Sequence, residues 1–462
     1  IGVVVPHSVA DGASALRYLC AEGVPVLPRG SGTALAGQSV NRAVIVDFSQ
    51  HCRAILSIDP ERRRAVVEPG VTLDQLNEAL APHGLMFGPD VATSSHATIG
   101  GMIGNNSAGA HSILYGRTVE NLLALDVVLA DGTVHRLEEG ACGRDPAQRA
   151  IAERMQAILE PLRGEIRAKF PRILRHVDGY NLDIFCNQNE RPYTADGSVN
   201  LAHLLVGSEG TLAVFRRLHL KLSPLPGARV LGVVNFPDFH AAMASAQHIV
   251  RLAPVAVELV DRTMIDLARQ NPAFRPVIDA AVVRRGGELP QAVLLVEFAG
   301  DDRAAITRRL GELVELVEDQ LGLPGAVVQM TDERAQKALW EVRKAGLNIM
   351  MSLRGDGKPV SFIEDCAVPL EHLAEYTSRL TEVFHKHGTR GTWYAHASVG
   401  TLHVRPILDM RRDGAEKMRA IAEEASALVR EYKGAYSGEH GDGLVRSEWV
   451  AWQFGPRLTR AD

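Results

Sequence analysis

Aromatic residues are scarce in this 462-residue chain, at 5% of the sequence, and cysteine is scarcer still at five positions. Cys20, Cys52, Cys142, Cys186 and Cys366 are odd in number, widely spaced and without a C-x-x-C pair. That pattern argues against a disulfide framework and against an iron–sulfur cluster held by this chain alone, and it fits a reducing compartment. Long apolar runs are missing too. The longest charge-free stretch, Val91 to Gly116, is rich in Gly, Ser, Asn and Thr and fails as a transmembrane span. Nor is there an excess of positive charge: 50 Lys and Arg stand against 55 Asp and Glu, both signs are spread along the chain, and the formal charge is −5. Nucleic acid drops out as a partner. The expectation is a cytoplasmic protein with no transmembrane segment, at most peripheral to a membrane.

What remains is an ordinary globular balance, 46% hydrophobic and 23% charged, long enough for two or three domains and a buried cofactor. The chain opens at Ile1 on Gly2-Val3-Val4-Val5-Pro6, with neither an initiator Met nor a charged leader, and reads as cut inside a strand. Short β-branched runs at Pro25 to Leu27, Ala43 to Val46 and Ala65 to Val67 alternate with helical patterns at Asp11 to Glu22 and Thr72 to His83. Strand character returns from Leu201 to Leu222, and Ser223-Pro224-Leu225-Pro226-Gly227 punctuates the chain. The boundary is expected there, giving a first domain 1–224, with an insertion at about 137–200 that is helical over Gln148 to Phe170, and a second domain 225–462. Strands at Arg229 to Phe236 and Val293 to Phe298, alternating with helices at Phe239 to Arg251, Arg303 to Leu321 and Leu370 to His387, predict a layered α/β unit with helices on one face of a sheet. The fold class is α+β.

Three Gly-rich segments carry the first chemical signal. In the first, Pro28-Arg29-Gly30-Ser31-Gly32-Thr33 through Gln38, glycines free backbone N–H groups to converge on an anion, and Arg29 and Thr33 add donors. It is neither a dinucleotide fingerprint nor a P-loop. The second runs from Gly88-Pro89-Asp90 through Thr93, Ser94, Gly100, Gly101, Asn105, Ser107 and Gly109, where small side chains let a flat polar ligand lie against the backbone. The third, Val206-Gly207-Ser208-Glu209-Gly210-Thr211-Leu212, repeats that chemistry. Turn-making alone accounts for each segment singly, less readily for three together.

The second domain carries His396-Ala397-Ser398-Val399-Gly400-Thr401-Leu402-His403 and Ser437-Gly438-Glu439-His440-Gly441-Asp442-Gly443. Positions seven apart on a straight strand face opposite sides, so His396 and His403 converge only if the chain turns, with Val399-Gly400 the expected place. Two His and one Glu with open positions suit Zn²⁺ or Fe²⁺, with Mn²⁺ also compatible. Chance pairing among 17 histidines is the competing explanation.

Together the P-R-G-S-G-T…G-Q, A-T-I-G-G-M-I-G-N-N-S-A-G and V-G-S-E-G-T-L runs resemble the FAD-binding domain of the vanillyl-alcohol oxidase type, in particular the D-lactate, glycolate and D-2-hydroxyglutarate dehydrogenases, over nearly the whole chain. The resemblance implies a two-domain fold with an α/β cap built on an antiparallel sheet, and FAD bound by Pro28 to Thr33, Gln38, Pro89, Asp90, Thr93, Ser94, Gly100, Gly101, Asn105, Ser107, Gly109, Glu209 and Gly210. Some relatives attach flavin covalently through a histidine in the first loop; Arg29 to Gln38 contains none, so non-covalent FAD is expected. The resemblance further makes His396, His403 and Glu439 ligands of a divalent metal, Zn first with Mn or Fe as alternatives, and His440 the general base. Arg343 and Lys358, fifteen apart, bind the substrate carboxylate.

The implied reaction oxidises a D-2-hydroxy acid, D-2-hydroxyglutarate or D-lactate-like, to the 2-oxo acid by metal-assisted proton removal and hydride transfer to flavin N5. Two positions depart from the pattern. Leu347 replaces a Thr, and Arg405 an Asn, leaving Arg405 either a ligand for a second carboxylate or a structural residue. The A-S-V-G-T-L-H-V-R-P variant resembles a subgroup fused to a C-terminal iron–sulfur region, with the final FAD-contacting tail beyond this chain. The acceptor is then an iron–sulfur region, a quinone or an electron-transfer protein. A flavin-dependent non-redox synthase or lyase of the same fold, and a non-catalytic flavin- or metal-binding module, are the alternatives.

Overall fold

A computed structural model describes residues 2–186, 194 and 198–461. Two units emerge, Ile1–Leu225 with Ser437–Asp462, and Pro226–Tyr436.

In the first unit a parallel three-stranded sheet runs in the order Gly2–Val4, Val44–Asp47, Val26–Arg29. A five-stranded antiparallel sheet follows, in the order Ile55–Asp59, Arg64–Val67, Val214–Lys221, Leu122–Val128, Val134–Glu138. The helix expected from Thr72 forms at Leu73–Leu80, because the Thr72 hydroxyl and Gln75 side chain close a capping box and Leu73, Leu76 and Leu80 fall on one buried stripe. The segment after Leu201 departs from its expected strand. Leu201–Leu205 is a short helix started by the Asn200 side chain, and the strand begins only at Val214. All five residues of that helix are buried, so no alternation of exposure marks it in the sequence. The expected insertion contains helices Pro146–Leu159 and Arg163–Lys169 and a 3₁₀ turn at Leu182–Phe185; its positions 187–193 and 195–197 lie outside the described residues.

The sequence assigns everything after Leu225 to the second domain, and here the structure differs. Ser437–Asp462 belongs to the first unit. Its return is fixed by hydrogen bonds from Val177 N to Ser437 O at 3.0 Å, Ser437 N to the Asp178 carboxylate at 2.6 Å and Gly179 N to the Asp442 carboxylate at 2.8 Å. Apolar packing adds to this, with the Phe454 ring stacked on Phe170 at 4.6 Å and Val450, Phe454 and Leu458 joining the first unit's core.

The second unit is built on a seven-stranded sheet in the order Val327–Met330, Ala228–Phe236, Ala292–Gly300, Ala256–Asp261, Gly391–His396, Thr401–Leu408, Lys358–Pro359, paired antiparallel. Helices cover both of its faces, not one. The helix Arg303–Glu315 comes so near that a Cβ on Gly232 would lie 2.6 Å from Leu313. On the other face, helices Arg262–Gln270, Arg275–Ala281 and Glu333–Lys344 pack Met264, Ile278, Leu339 and Val342 against Leu231, Val233 and Leu295. Strand residues alternate in burial environment but both sets are apolar, which is why the central strands read as continuous hydrophobic runs. Among the described residues no helix is long and apolar enough to cross a membrane.

Burial of His203 in the misread helix pushes its imidazole down to about 4 from an ordinary 6.5. The folded value is depressed, so the neutral ring contributes stability that is full above the unfolded value and is lost as pH falls through the folded one. Between pH 7 and pH 5 this residue is expected to cost about 2 kcal/mol. Urea unfolding at the two pH values should show that much less acid sensitivity in His203→Gln than in the parent chain.

Candidate functional site

The three Gly-rich segments converge in the first unit. Gly207 N donates to Ile103 O at 2.9 Å and Glu209 N to Gly104 O at 2.8 Å, which docks the third segment on the helix Ile99–Asn105 of the second. A Cβ on Gly30 would lie 2.1 Å from the Thr98 hydroxyl, and one on Gly210 would lie 2.8 Å from Pro28, so the first segment is closed against both others. At its turn Gly32 takes φ +72°, with the Arg29 guanidinium folded over it. Gly100 meets Pro69, and Gly109 meets Asp90, whose carboxylate holds the His111 ring at 2.6 Å. Pro89 is buried, Ser107 accepts from the Asn105 amide at 3.3 Å, the Thr93 carbonyl closes the turn ahead of Thr98 by accepting from His96 N and Ala97 N, and the Ser94 carbonyl accepts from Asp74 N. Gly101 and Ser31 stand at the accessible rim.

A flavin nucleotide fits this cradle. Arg29 Nε, Asn105 Oδ1 and Ser208 Oγ, one from each segment, are buried polar atoms without a protein partner. Such atoms are costly unless a ligand or water satisfies them.

The Ser437–Gly443 loop belongs to the same unit. Glu439 is ion-paired with Arg175, which is fully buried and also donates to Gly109 O at 2.7 Å and to the Ser112 hydroxyl at 2.9 Å. Arg175 escapes a reading of the sequence, since nothing in Arg172-Ile173-Leu174-Arg175 separates it from a surface arginine. The His440 imidazole is partly exposed, with its Nε2 3.5 Å from the Glu439 carboxylate.

In the second unit the chain turns as expected between the two histidines. A 3₁₀ turn spans Ala397–Val399, and Gly400 takes φ +69° where a Cβ would lie 2.0 Å from Val368 O. This pairs Tyr394 with His403 across the hairpin and brings the His396 and His403 rings to 4.9 Å, edge to face. Glu258, from the neighbouring strand and in register with His396, receives His396 Nδ1–H at 2.7 Å and Arg343 Nη2–H at 2.5 Å. Burial alone would push the Glu258 carboxyl up. The His396 and Arg343 charges outweigh it and hold the group below the usual carboxylate range. With Nδ1 committed, His396 presents Nε2, the arrangement by which a carboxylate orients a metal-binding imidazole. The donor chemistry of this pair fits a divalent metal. The signal for Glu258 is present in the sequence as a lone acid inside the apolar run Ala256-Val257-Glu258-Leu259-Val260, although its partners cannot be read there.

Arg343 lies with its guanidinium carbon 4.7 Å over the Tyr394 ring, and its positive charge is shared with Glu258. Lys358 is exposed and donates to Leu353 O at 2.6 Å. Arg405 is 2% exposed, ion-paired with Glu364 and hydrogen-bonded to the Tyr394 hydroxyl at 2.7 Å, so its guanidinium is engaged inside the unit. Leu347 is partly exposed.

Comparison with known proteins places the domain boundary at the same point, although the C-terminal family match includes the segment that the structure returns to the first unit. Residues 1–138 match the FAD binding domain family, and residues 225–461 match the C-terminal domain of FAD linked oxidases. The chain is 33% identical to D-2-hydroxyglutarate dehydrogenase of Pantoea ananatis over 99% of its own length and 45% of that protein's. To D-lactate dehydrogenase of Archaeoglobus fulgidus it is 27% identical, over 96% of this chain and 83% of the relative. It thus spans a little under half of the first of these relatives. Among solved structures, 4-ethylphenol oxidase from Gulosibacter chungangensis superposes with a TM-score of 0.67 at 15% identity, covering 99% of this chain and 85% of that one. The fold is the two-domain FAD-binding fold of the vanillyl-alcohol oxidase type, with an antiparallel sheet in its cap. Carrying both domains of the family in order, this chain belongs to the FAD-linked oxidases.

Proposed function

We propose that the chain is the dehydrogenase portion of an FAD-dependent enzyme that oxidises a D-2-hydroxy acid, D-2-hydroxyglutarate or D-lactate-like, to the 2-oxo acid. The observation that carries the reading is similarity along essentially the whole chain to proteins named for that activity. The paired imidazoles and their buried carboxylate in the second unit support it.

In this reading the three Gly-rich segments hold FAD non-covalently, and His396, His403 and Glu439 hold a divalent metal, Zn first and Mn or Fe otherwise. When bound, the flavin supplies a two-electron acceptor and the metal a Lewis acid for the substrate oxygens. The protein's own groups do the rest. Arg343, kept rigid by Glu258 and Tyr394, offers fixed positive charge to the substrate carboxylate, with Lys358 a second cation on a flexible stem. His440 takes the hydroxyl proton. Onward electron transfer to an iron–sulfur region, a quinone or an electron-transfer protein completes turnover. Five cysteines, none of them in a disulfide, support a cytoplasmic setting.

Anaerobic titration of the FAD-loaded protein with D- and L-2-hydroxyglutarate, lactate, malate and glycolate is expected to bleach the visible flavin absorbance with a D-acid only, and to fail after chelation or in His440→Ala. Flavin that binds and keeps its colour with every acid overturns the reading. Glu258→Gln leaves a buried guanidinium without its counter-charge and is expected to cost about 3–5 kcal/mol in urea unfolding. The same variant should bind metal about 10–100-fold more weakly by equilibrium dialysis, because His396 loses its orienting acceptor.

A further inference from the structure

Each Gly-rich segment sends one side chain onto the backbone of the Ser437–Gly443 loop. The Asn105 amide donates to Glu439 O at 2.6 Å, and the Gln38 amide donates to His440 O at 2.7 Å. The Glu209 carboxylate accepts Asp442 N at 2.8 Å on one oxygen and Gly443 N at 2.9 Å on the other. Two of these side chains are also tied to each other, and two to their own segments: Gln38 donates to Glu209 at 3.1 Å and accepts from Ala36 N at 3.1 Å, and Asn105 donates to Ser107 at 3.3 Å. Four peptide groups from residue 439 to residue 443 are therefore held by side chains that come from sequence positions hundreds of residues away.

The backbone on both sides is shaped for this. Glu209 sits at φ +52°, a region that non-glycine residues enter only when the surroundings compel it. Gly441 at φ +78° and Gly443 at φ +51° admit no side chain. A Cβ on Gly441 would lie 2.1 Å from the Glu209 carboxylate and 2.9 Å from the Gln38 amide, and one on Gly443 would lie 2.1 Å from Ala36 O. Gly441 is thus required by the approach of these side chains and Gly443 by the approach of the Ala36 carbonyl, apart from any need of a bound ligand.

We propose that Gln38, Asn105 and Glu209 form a clamp that fixes the Glu439–His440 peptide, making them positioning residues for the group that moves the substrate proton. The inference rests on the reaction proposed above for the role of His440; the clamp itself rests on the hydrogen bonds. It also couples cofactor cradle and reaction loop, since the segments that enclose the one hold the other. Losing a single hydrogen bond of this kind is worth about 1–1.5 kcal/mol, or roughly tenfold in a rate or an opening equilibrium.

The test uses the FAD-loaded full chain with Glu209→Gln and, in case that variant fails to fold, Asn105→Ala. Hydrogen exchange of the Asp442 and Gly443 amides in Glu209→Gln, or of the 437–446 peptide in Asn105→Ala, is expected to speed about tenfold. Because both residues also stand in the cofactor cradle, FAD is kept at a saturating concentration and each rate is read per bound FAD. The rate of anaerobic flavin reduction at saturating acid should fall by about tenfold while the half-saturating concentration stays within about threefold, a split that general loss of structure would not produce. Unchanged exchange in both variants overturns the proposal: weaker FAD binding with loop protection intact would show that these side chains serve the cofactor and not the loop. Should the parent protein be reduced by no hydroxy acid, the proposed reaction fails while the exchange measurement still decides the clamp.

Discussion

A carboxylate placed in the middle of an apolar sheet must be neutralised where it stands, and the chemistry-bearing face of the second unit is arranged around that demand at Glu258. The residue is fully buried, with Val257 and Leu259 beside it on its own strand and Leu295 opposite it on the next. Only two hydrogen-bonded positive or proton-donating partners make such burial tolerable. One is Arg343, carried in on the helix Glu333–Lys344, and the other is His396 on the adjoining strand. Their positions in turn set the rest: Tyr394 packs beneath Arg343 and stacks on His403, so His396 is held by the carboxylate and His403 by the neighbouring rings. Arg405 and Glu364 repeat the solution within the same unit, a buried guanidinium again standing against a buried carboxylate.

The first unit meets the same demand differently. Glu439 is neutralised by Arg175, a fully buried guanidinium whose remaining donors go to a backbone carbonyl and a hydroxyl. Glu209 is satisfied by backbone N–H groups of Asp442 and Gly443 and by the Gln38 amide, and burial pushes its carboxyl up against these bonds and the Arg446 charge. The difference matters for what each carboxylate can do. A group satisfied by backbone N–H donors organises a loop, whereas one held by a side-chain cation can exchange that cation for another.

Glycine placement in this chain serves contact between segments as much as contact with a ligand. Gly30, Gly109 and Gly210 are occupied by Thr98, Asp90 and Pro28 at distances no side chain would permit. The unsatisfied polar atoms that fit a flavin nucleotide, Arg29 Nε, Asn105 Oδ1 and Ser208 Oγ, are left over once that packing is complete. A cradle of this kind is formed by protein–protein closure first and by cofactor complementarity second.

The sequence by itself determined the features whose causes are local. Glycines at Gly32 and Gly400 declare left-handed backbone conformations, the Thr72 capping box starts a helix within one turn, and Ser223 to Gly227 interrupts the chain at the boundary. The family was legible for the same reason, since its motifs are contiguous. Tertiary structure alone decided the matters that depend on partners distant in the chain. Glu258 finds Arg343 85 residues away and His396 138 away, and Arg175 finds Glu439 264 away. The return of Ser437–Asp462 to the first unit rests on Asp178 and Phe170, and the Leu201–Leu205 helix is buried all round and so carries no period to read. Burial creates the need for a partner locally, but which residue answers it is settled only when strands pair and helices pack, because hydrogen bonds and charge pairing act through space and not along the chain.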